Sequence, residues 1–391
     1  MRTIRTGFLI ALAYLTMLLF GGMDGLRGVS IPAVRMDLAV SYNAIGATFF
    51  VSMFAFIAAL YGAGRLASNG RLKAILAIGL SLTVTAHLVA PFATHILLYA
   101  LMMIALHFGG GWLEIGLNAV GAEVFRKRAA VGMSILHLFF GLGSTVFSRF
   151  GGEIIASEIG WRGAYFGAIF LTVPLLISTL LIAFPKPADS PETSSESPLR
   201  ALRDPLVRRI ALLLGAAIIV EIGIGSWMAN YLVTMRGLSE AQAGTWLAGF
   251  FAAFTVGRLI CPFIAERFGY VRTLGAFGLG VLAMFIPGYI LADFPLGLSL
   301  TGLFVSIMYP TVMAILMHEY PGRASRLMSP ILILAITTAN IGNWVIAGLH
   351  DLLGEQLAFG AVAITPIYML ITLLAVQRAV RRRPADARTA H

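Results

Sequence analysis

Charged residues are scarce in this sequence: only 12% of its 391 residues are Asp, Glu, Lys or Arg. Soluble domains carry about 25% charged residues. Hydrophobic residues instead make up 59% of the chain, and its mean hydropathy is +0.88. The shortage of charge excludes a water-soluble domain and predicts a polytopic membrane protein.

Cysteine and the motifs of cofactor chemistry are also missing. The single cysteine, Cys261, excludes an intramolecular disulfide and a thiolate metal cluster. No His, Cys or Asp set has metal-ligand spacing, and no glycine-rich loop followed by Lys-Ser/Thr could cradle a phosphate. No nucleophile–base pair is evident either. We therefore expect no cofactor, no metal site, no ATP-driven transport and no enzymatic activity.

Long apolar runs dominate the chain. A membrane span needs about 20 mostly apolar residues. The start, Met1-Arg2-Thr3-Ile4-Arg5, could begin a signal peptide, but no small-residue cleavage site follows, so the first run is interpreted as a span. The runs and their breaks predict twelve spans, at about 7–31, 43–64, 74–93, 96–123, 130–155, 163–184, 210–235, 242–264, 273–292, 295–318, 328–350 and 356–377.

The basic residues predict the orientation of these spans. If the N-terminus is cytoplasmic, 22 of the 28 Lys and Arg residues fall in cytoplasmic gaps, the central linker or the termini. Only Arg35, Arg162 and Arg236 fall in the gaps on the other side. Because cytoplasmic loops are enriched in Lys and Arg, both termini are predicted to be cytoplasmic. The net charge of +10 thus reflects the enrichment of basic residues in the cytoplasmic segments. We expect these residues to contact anionic lipid rather than nucleic acid.

The chain is a repeat of two halves. A Pro/Ser/Glu-rich segment at 185–198 separates six spans from six, and Ser41-x4-Gly46 and Ser239-x4-Gly244 open corresponding spans. We predict an N-terminal six-helix bundle (1–184), a cytoplasmic linker (185–209), a C-terminal six-helix bundle (210–378) and a basic tail (379–391). The predicted fold is an all-α membrane protein with two pseudo-symmetric bundles that rock about a site between them.

Glu114 is the most informative charge within the spans. A carboxylate in hydrocarbon costs several kcal/mol unless it is paired, protonated or facing a wet cavity. Asn118 lies four residues later, so a helix places both side chains on one face. Four glycines (109, 110, 111 and 116) would let a helix or a substrate approach closely. This segment predicts a binding site; the alternative is a neutral Glu that serves packing.

Other spans carry polar residues at helical spacing. Asp24 and Arg27 are three residues apart and could pair locally. In the seventh span Glu221 precedes a polar and aromatic face, and the eleventh span carries a similar one. Rings beside amides suit a sugar; the alternatives are an interfacial aromatic belt and hydrogen bonds between helices. The two faces consist of Trp227, Asn230 and Tyr231, and of Asn340, Asn343 and Trp344. His87, His107 and His137 are interpreted as packing residues.

The gap between the second and third spans resembles a family motif. Gly64–Lys73 resembles a degraded Gly-x-x-x-Asp-Arg-x-Gly-Arg-Arg loop of the major facilitator superfamily, with Ser68 in place of the Asp. Glu266-Arg267-Phe268-Gly269 keeps the acidic–basic pair in the second half. The chain therefore resembles that superfamily over essentially its full length. The resemblance implies gating roles for Arg65, Arg71, Glu266 and Arg267, and we assign Arg258 to the same group.

Within that superfamily the chain resembles the fucose and glucose/mannose proton symporter branch. Leu113-Glu114-x3-Asn118 resembles the branch's fourth helix, whose acidic residue is implicated in substrate binding and proton coupling. The segments 136–143, 221–231 and 257–258 are also similar. One departure concerns Asp24, which stands eight residues before Pro32, whereas the branch has an acid about one turn before this proline.

These observations predict a secondary active transporter. We expect proton-coupled symport of a monosaccharide by alternating access, with Glu114, Glu221 and Asp24 as proton-coupling residues. Sodium could use the same oxygens. The alternatives are a proton-coupled drug or metabolite exporter and a non-transporting receptor. We expect a monomer in a bacterial inner membrane, with Glu114, Asn118, Trp227, Asn230, Tyr231, Asn340, Asn343 and Trp344 binding the substrate.

Overall fold

The computed structural model describes residues 2–125, 129–184, 198–321 and 323–381. Sixteen α-helices and one 3-10 turn make up its regular structure, and no strand occurs in these ranges. Twelve of the helical segments are long and apolar enough to cross a membrane, which confirms the predicted number of spans. Most of the predicted linker (185–197) and tail (382–391) lies outside the described residues.

The helices follow the predicted runs closely. Those of the first half are α1 (Arg2–Leu38), α2 (Tyr42–Ser68), α3 (Leu72–Val89), the 3-10 turn (Ala90–Phe92), α4 (Ile96–Val124), α5 (Ala129–Ile155), α6 (Gly160–Gly167) and α7 (Ile169–Leu181). The remainder are α8 (Pro198–Ala201), α9 (Pro205–Arg236), α10 (Glu240–Phe268), α11 (Tyr270–Ile290), α12 (Pro295–Val305), α13 (Met308–Glu319), α14 (Ala324–Leu353), α15 (Glu355–Ala361) and α16 (Ile364–Arg381). The sixth, tenth and twelfth spans are each divided into two helices.

The first span is longer than its apolar run. The run predicts an end near residue 31, whereas α1 continues through Pro32 to Leu38. The additional turns carry two charges that find partners: the Arg35 guanidinium lies 4.2 Å from the centre of the Tyr42 ring. Asp37 Oδ2 lies 2.7 Å from Arg162 Nη1. These contacts compensate the charges, so the helix does not end where hydrophobicity falls.

The chain divides into two compact units. The first contains Met1–Pro191 and Ala229–Phe251, and the second contains Glu192–Met228 and Ala252–His391. The C-terminal turns of α9 and the N-terminal part of α10 therefore belong to the first unit. The predicted domain boundaries at 184 and 210 come from the sequence repeat and remain predictions.

Close helix packing builds the first unit. Helix α1 packs most extensively against α5, and α4 packs against α2 and α3. At Gly21 and Gly143 a Cβ atom would collide with the backbone carbonyls of Phe140 and Leu18, so the two helices approach only because side chains are missing. Ser144 Oγ donates to Gly21 O across this contact, at 2.9 Å.

Helix α11 packs against several helices of the second unit. It packs against α12, α13 and α16, and α14 packs against α15. A Cβ atom on Gly288 would lie 2.6 Å from the backbone nitrogen of Leu298, so α11 and α12 also meet through a glycine.

Candidate functional site

Glu114 and Asn118 lie together on α4, as their spacing predicts. Asn118 Nδ2 donates to Glu114 Oε1 at 2.9 Å and to the Glu114 backbone oxygen at 2.7 Å. Both residues are half-buried, so the acid is neither sealed in the core nor fully exposed. A carboxylate held by an amide donor and still accessible can accept a further donor or a proton.

The glycines near Glu114 serve helix packing. A Cβ atom on Gly109 would lie 2.8 Å from Gly79 O on α3, and one on Gly111 would lie 2.7 Å from Phe56 O on α2. A Cβ atom on Gly110 would meet the Phe20 ring, and one on Gly116 would meet Leu76, so protein atoms occupy the space beside all four glycines. The structure favours the helix-approach interpretation of these glycines over direct approach of a substrate.

Arg27 joins α1 to α4. Its Nη2 lies 3.1 Å from Asp24 Oδ1, and its Nη1 lies 3.1 Å from His107 Nε2. The guanidinium also lies 5.6 Å from the centre of the Phe49 ring on α2. The local Asp24–Arg27 pair that the sequence suggests is present, and it is extended by a histidine from another helix.

His107 has a defined tautomer in this arrangement. Its Nδ1 lies 2.8 Å from the Met103 carbonyl oxygen, which can only accept, so Nδ1 carries the proton. Nε2 is then the acceptor for the Arg27 N–H. Interpretation of His107 as a packing residue missed this contact. Residues 107 and 114 are seven apart and share a face of α4, about 10 Å along the axis, but this spacing gives no sign of a contact with Arg27.

Hydroxyl groups lie beside the Arg27 cluster. Ser30 Oγ donates to the Arg27 backbone oxygen at 3.0 Å and lies 3.2 Å from Tyr165 Oη. Ser30, Tyr99 and Tyr165 are fully buried. Hydrogen bonds and the ion pair therefore connect Asp24, Arg27, His107, Ser30 and Tyr165 within the first unit.

Trp227 and Asn343 contact each other within the second unit. The indole N–H of Trp227 donates to Asn343 Oδ1 at 2.8 Å. The His350 ring lies 4.6 Å from the Trp227 ring, with an interplanar angle of 30°. Trp227 is fully buried in the structure. The structure thus brings together two residues that the sequence places on separate polar faces.

Asn230 and Tyr231 lie in the first unit and are also buried. The Tyr42 hydroxyl donates to Asn230 Oδ1 at 3.2 Å, which joins α2 to α9. The Arg236 guanidinium lies 5.4 Å from the centre of the Tyr231 ring. Both residues are therefore engaged by neighbouring protein groups, and Tyr42 is a partner that the sequence did not suggest.

The remaining predicted site residues occupy more open positions. Asn340 Nδ2 donates to its own helix at Ile336 O, at 2.9 Å, and Trp344 is 36% exposed. Glu221 is half-buried on α9. Their assignment to proton coupling and substrate binding remains a prediction.

The predicted gating residues lie near helix ends, except Arg258, which lies almost three turns before the end of α10. Arg65 Nη2 donates to Tyr61 Oη at 2.6 Å, and the Arg258 guanidinium lies 4.4 Å from the centre of the Phe254 ring. Arg71 precedes α3 and is exposed, as are Glu266 and Arg267 near the end of α10. In the described ranges, no group of His, Cys, Asp and Glu could hold a metal ion.

Relatives of known sequence cover most of the chain. A glucose/galactose transporter of Brucella abortus is 28% identical over 378 residues, which cover 89% of this chain and 90% of that protein. An uncharacterised MFS-type transporter of Yersinia pestis is 27% identical over 316 residues, or 79% of this chain and 77% of that protein.

Solved structures show the same fold at lower identity. The E. coli fucose:proton symporter matches with a TM-score of 0.62 and 18% identity, over 94% of this chain and 98% of that one. A nucleoside transporter matches with a TM-score of 0.79 and 13% identity, over 95% and 99% of the two chains. The model of the Major Facilitator Superfamily matches residues 12–332. The chain is a multi-pass membrane transporter that belongs to the major facilitator superfamily.

Proposed function

We propose that the protein couples proton movement to the symport of a small polar solute, a monosaccharide, by alternating access. The observation that carries this proposal is the half-buried Glu114 carboxylate, which accepts a hydrogen bond from Asn118 at 2.9 Å within a membrane span. The 28% identity to a glucose/galactose transporter over most of both chains supports a sugar as the solute.

Proton coupling follows from the cost of the Glu114 charge. An ionised carboxylate in a low-dielectric environment is costly, and that cost disappears when the group takes up a proton. A carboxylate that is protonated on one side of the membrane and ionised on the other links proton transfer to the conformational change. Asp24 and Glu221 are the further proton-coupling residues of the proposal. Sodium is the competing ion, because it binds to the same oxygen atoms.

Sugar recognition follows from the amide and carboxylate groups. A monosaccharide presents several hydroxyls that donate and accept, and the Glu114 carboxylate and the Asn118 amide oxygen offer acceptors on a single helix face, since both N–H groups of Asn118 are donated to Glu114. Trp227, Asn230, Tyr231, Asn340, Asn343 and Trp344 complete the proposed substrate-binding set. The buried members of this set would contact solute only in another conformation of the transport cycle. We place both termini in the cytoplasm and the protein in a bacterial inner membrane.

Proton flux in liposomes tests the proposal. The purified protein is reconstituted around a pH-sensitive dye, and glucose, mannose, fucose and galactose are added in turn. At least one of these sugars is expected to acidify the lumen, and replacement of external sodium by choline should leave the signal unchanged. A signal that requires sodium would overturn proton coupling. A protein that takes up labelled sugar without any proton movement would overturn symport.

A further inference from the structure

The Arg27 guanidinium has more N–H donors than it has hydrogen-bonded partners in the described part of the chain. A guanidinium has five N–H groups in a planar fork. In the described part of the chain, its charged and hydrogen-bonded partners are Asp24 and His107, each at 3.1 Å. The Arg27 side chain is 20% exposed and that of Asp24 is 37% exposed, so neither group is sealed by the surrounding helices.

The charge of this cluster depends on Asp24. With Asp24 ionised, the pair has no net charge. His107 is neutral, because its Nδ1–H donates to Met103 O and its Nε2 accepts from Arg27. If Asp24 takes up a proton, His107 cannot replace the lost negative charge, and Arg27 becomes an uncompensated cation inside the membrane.

Other groups around the pair do not supply that charge. Tyr165 on α6, whose Oη lies 3.2 Å from Ser30 Oγ, and the buried Tyr99 on α4 are phenols. The α2 neighbour is the Phe49 ring, and α5 faces α1 with the hydroxyls of Ser144 and Ser148. On α5, Arg149 and Glu153 form their own pair at 2.5 Å. Glu114, two helical turns from His107 on α4, is bonded to Asn118. An anion that reaches the part-exposed Arg27 guanidinium would supply the missing charge.

We propose that Arg27 binds a carboxylate of the substrate when Asp24 is protonated, so that the transported monosaccharide is a sugar acid. This inference rests on the proposed sugar symport and narrows its substrate class. The guanidinium fork matches a carboxylate in two parallel hydrogen bonds. The substrate carboxylate replaces Asp24 as the partner of Arg27, and the proton resides on Asp24. One proton enters with one monoanion, so the loaded site gains no net charge.

Electroneutrality gives the first test, in wild-type protein. Uptake of D-glucuronate and D-gluconate into proteoliposomes is compared with uptake of D-glucose and D-galactose under the same imposed pH gradient. The acids are expected to have at least tenfold lower KM. Their uptake should not change when potassium and valinomycin impose an inside-negative potential. Neutral sugars that move with protons while both acids stay outside would overturn this inference and leave the proposed symport standing.

Two substitutions test the roles of the pair. Arg27→Gln should weaken glucuronate binding at least tenfold in a thermal-shift titration, while Arg149→Gln, a matched change in a separate helical pair, should leave it unchanged. Asp24→Asn imitates the protonated acid and keeps Arg27. It should bind glucuronate at least as tightly as wild type, and with an affinity that no longer depends on pH between 5 and 8.

The outcomes are separable. If Asp24→Asn abolishes glucuronate binding, or if Arg27→Gln folds and binds glucuronate like wild type, the Arg27 site is wrong. If Arg27→Gln does not fold, the Asp24→Asn titration and the wild-type uptake decide the question. If the protein transports no monosaccharide, neutral or acidic, and none raises its melting temperature, the proposed function fails together with the inference.

Discussion

The indole nitrogen of Trp227 donates to Asn343 Oδ1 at 2.8 Å and thereby joins α9 to α14 within the second unit. This bond satisfies the only polar group of a fully buried tryptophan. Both residues belong to the proposed substrate-binding set. Their hydrogen bond fixes the two side chains relative to each other in the structure.

Loss of this bond should cost stability. Trp227→Phe removes the donor and leaves the Asn343 oxygen without it, which should lower the free energy of unfolding by about 1–3 kcal/mol. Trp344→Phe, at a position that is 36% exposed, should change it by less than about 0.5 kcal/mol. Thermal denaturation in detergent compares the two variants. Equal melting temperatures would contradict a structural role for the Trp227–Asn343 bond.

Asn118 should act through Glu114. Asn118→Leu removes the donor to the Glu114 carboxylate, and a hydrogen bond to a charged group contributes about 1.5–3 kcal/mol. We expect at least a tenfold rise in the KM for sugar uptake. Asn43→Leu, at an exposed position near the start of α2, should leave the KM within about twofold of wild type. An unchanged KM in Asn118→Leu would remove this residue from the site.

Two glycine-to-alanine substitutions should change the melting temperature in opposite directions. A Cβ atom on Gly244 would lie 2.5 Å from Ser148 O and 3.0 Å from Gly152 Cα, whereas one on Gly64 meets nothing within 4 Å. In a helix, Gly→Ala is worth up to about 1 kcal/mol where space allows. Gly64→Ala should therefore raise the melting temperature and Gly244→Ala should lower it. A rise in both would show that α5 and α10 do not need their close approach.

Arg162 should be structural rather than functional. It pairs with Asp37 at 2.7 Å, donates through Nε and Nη2 to Ala93 O at 3.2 and 3.0 Å, and lies over the Trp161 ring. Arg162→Lys cannot make all of these contacts at once. We expect destabilisation by about 1–3 kcal/mol, with sugar affinity in the surviving protein within twofold of wild type. A tenfold loss of affinity without destabilisation would contradict this assignment.

The sequence predicted the spans because hydrophobicity is a local property. Twelve runs became twelve helical segments, with boundaries within a few residues in most cases. The end of α1 was missed because Arg35 is compensated by the Tyr42 ring and Asp37 by Arg162 and Trp161. Arg162 is distant from Asp37 in the chain, and neither it nor Tyr42 belongs to the apolar run from which the end of the helix was predicted.

Only the contacts within one helix of the candidate site were predictable from the sequence. Helical spacing placed Glu114 with Asn118 and Asp24 with Arg27, since both pairs lie within one helix. Spacing could not reveal that His107 contacts Arg27, 80 residues away, or that Trp227 contacts Asn343, 116 residues away. Tertiary packing decides those contacts, so His107 looked like an ordinary packing residue.

Glu114→Gln offers the most direct measurement of the central claim. In proteoliposomes with an imposed inward proton gradient, wild type should accumulate labelled sugar above its external concentration. The Gln variant keeps an amide that can bind hydroxyls but cannot exchange a proton. It should lose accumulation and still exchange internal unlabelled sugar for external labelled sugar when no gradient is present. Accumulation at the wild-type level in Glu114→Gln would contradict the assignment of proton coupling to this residue.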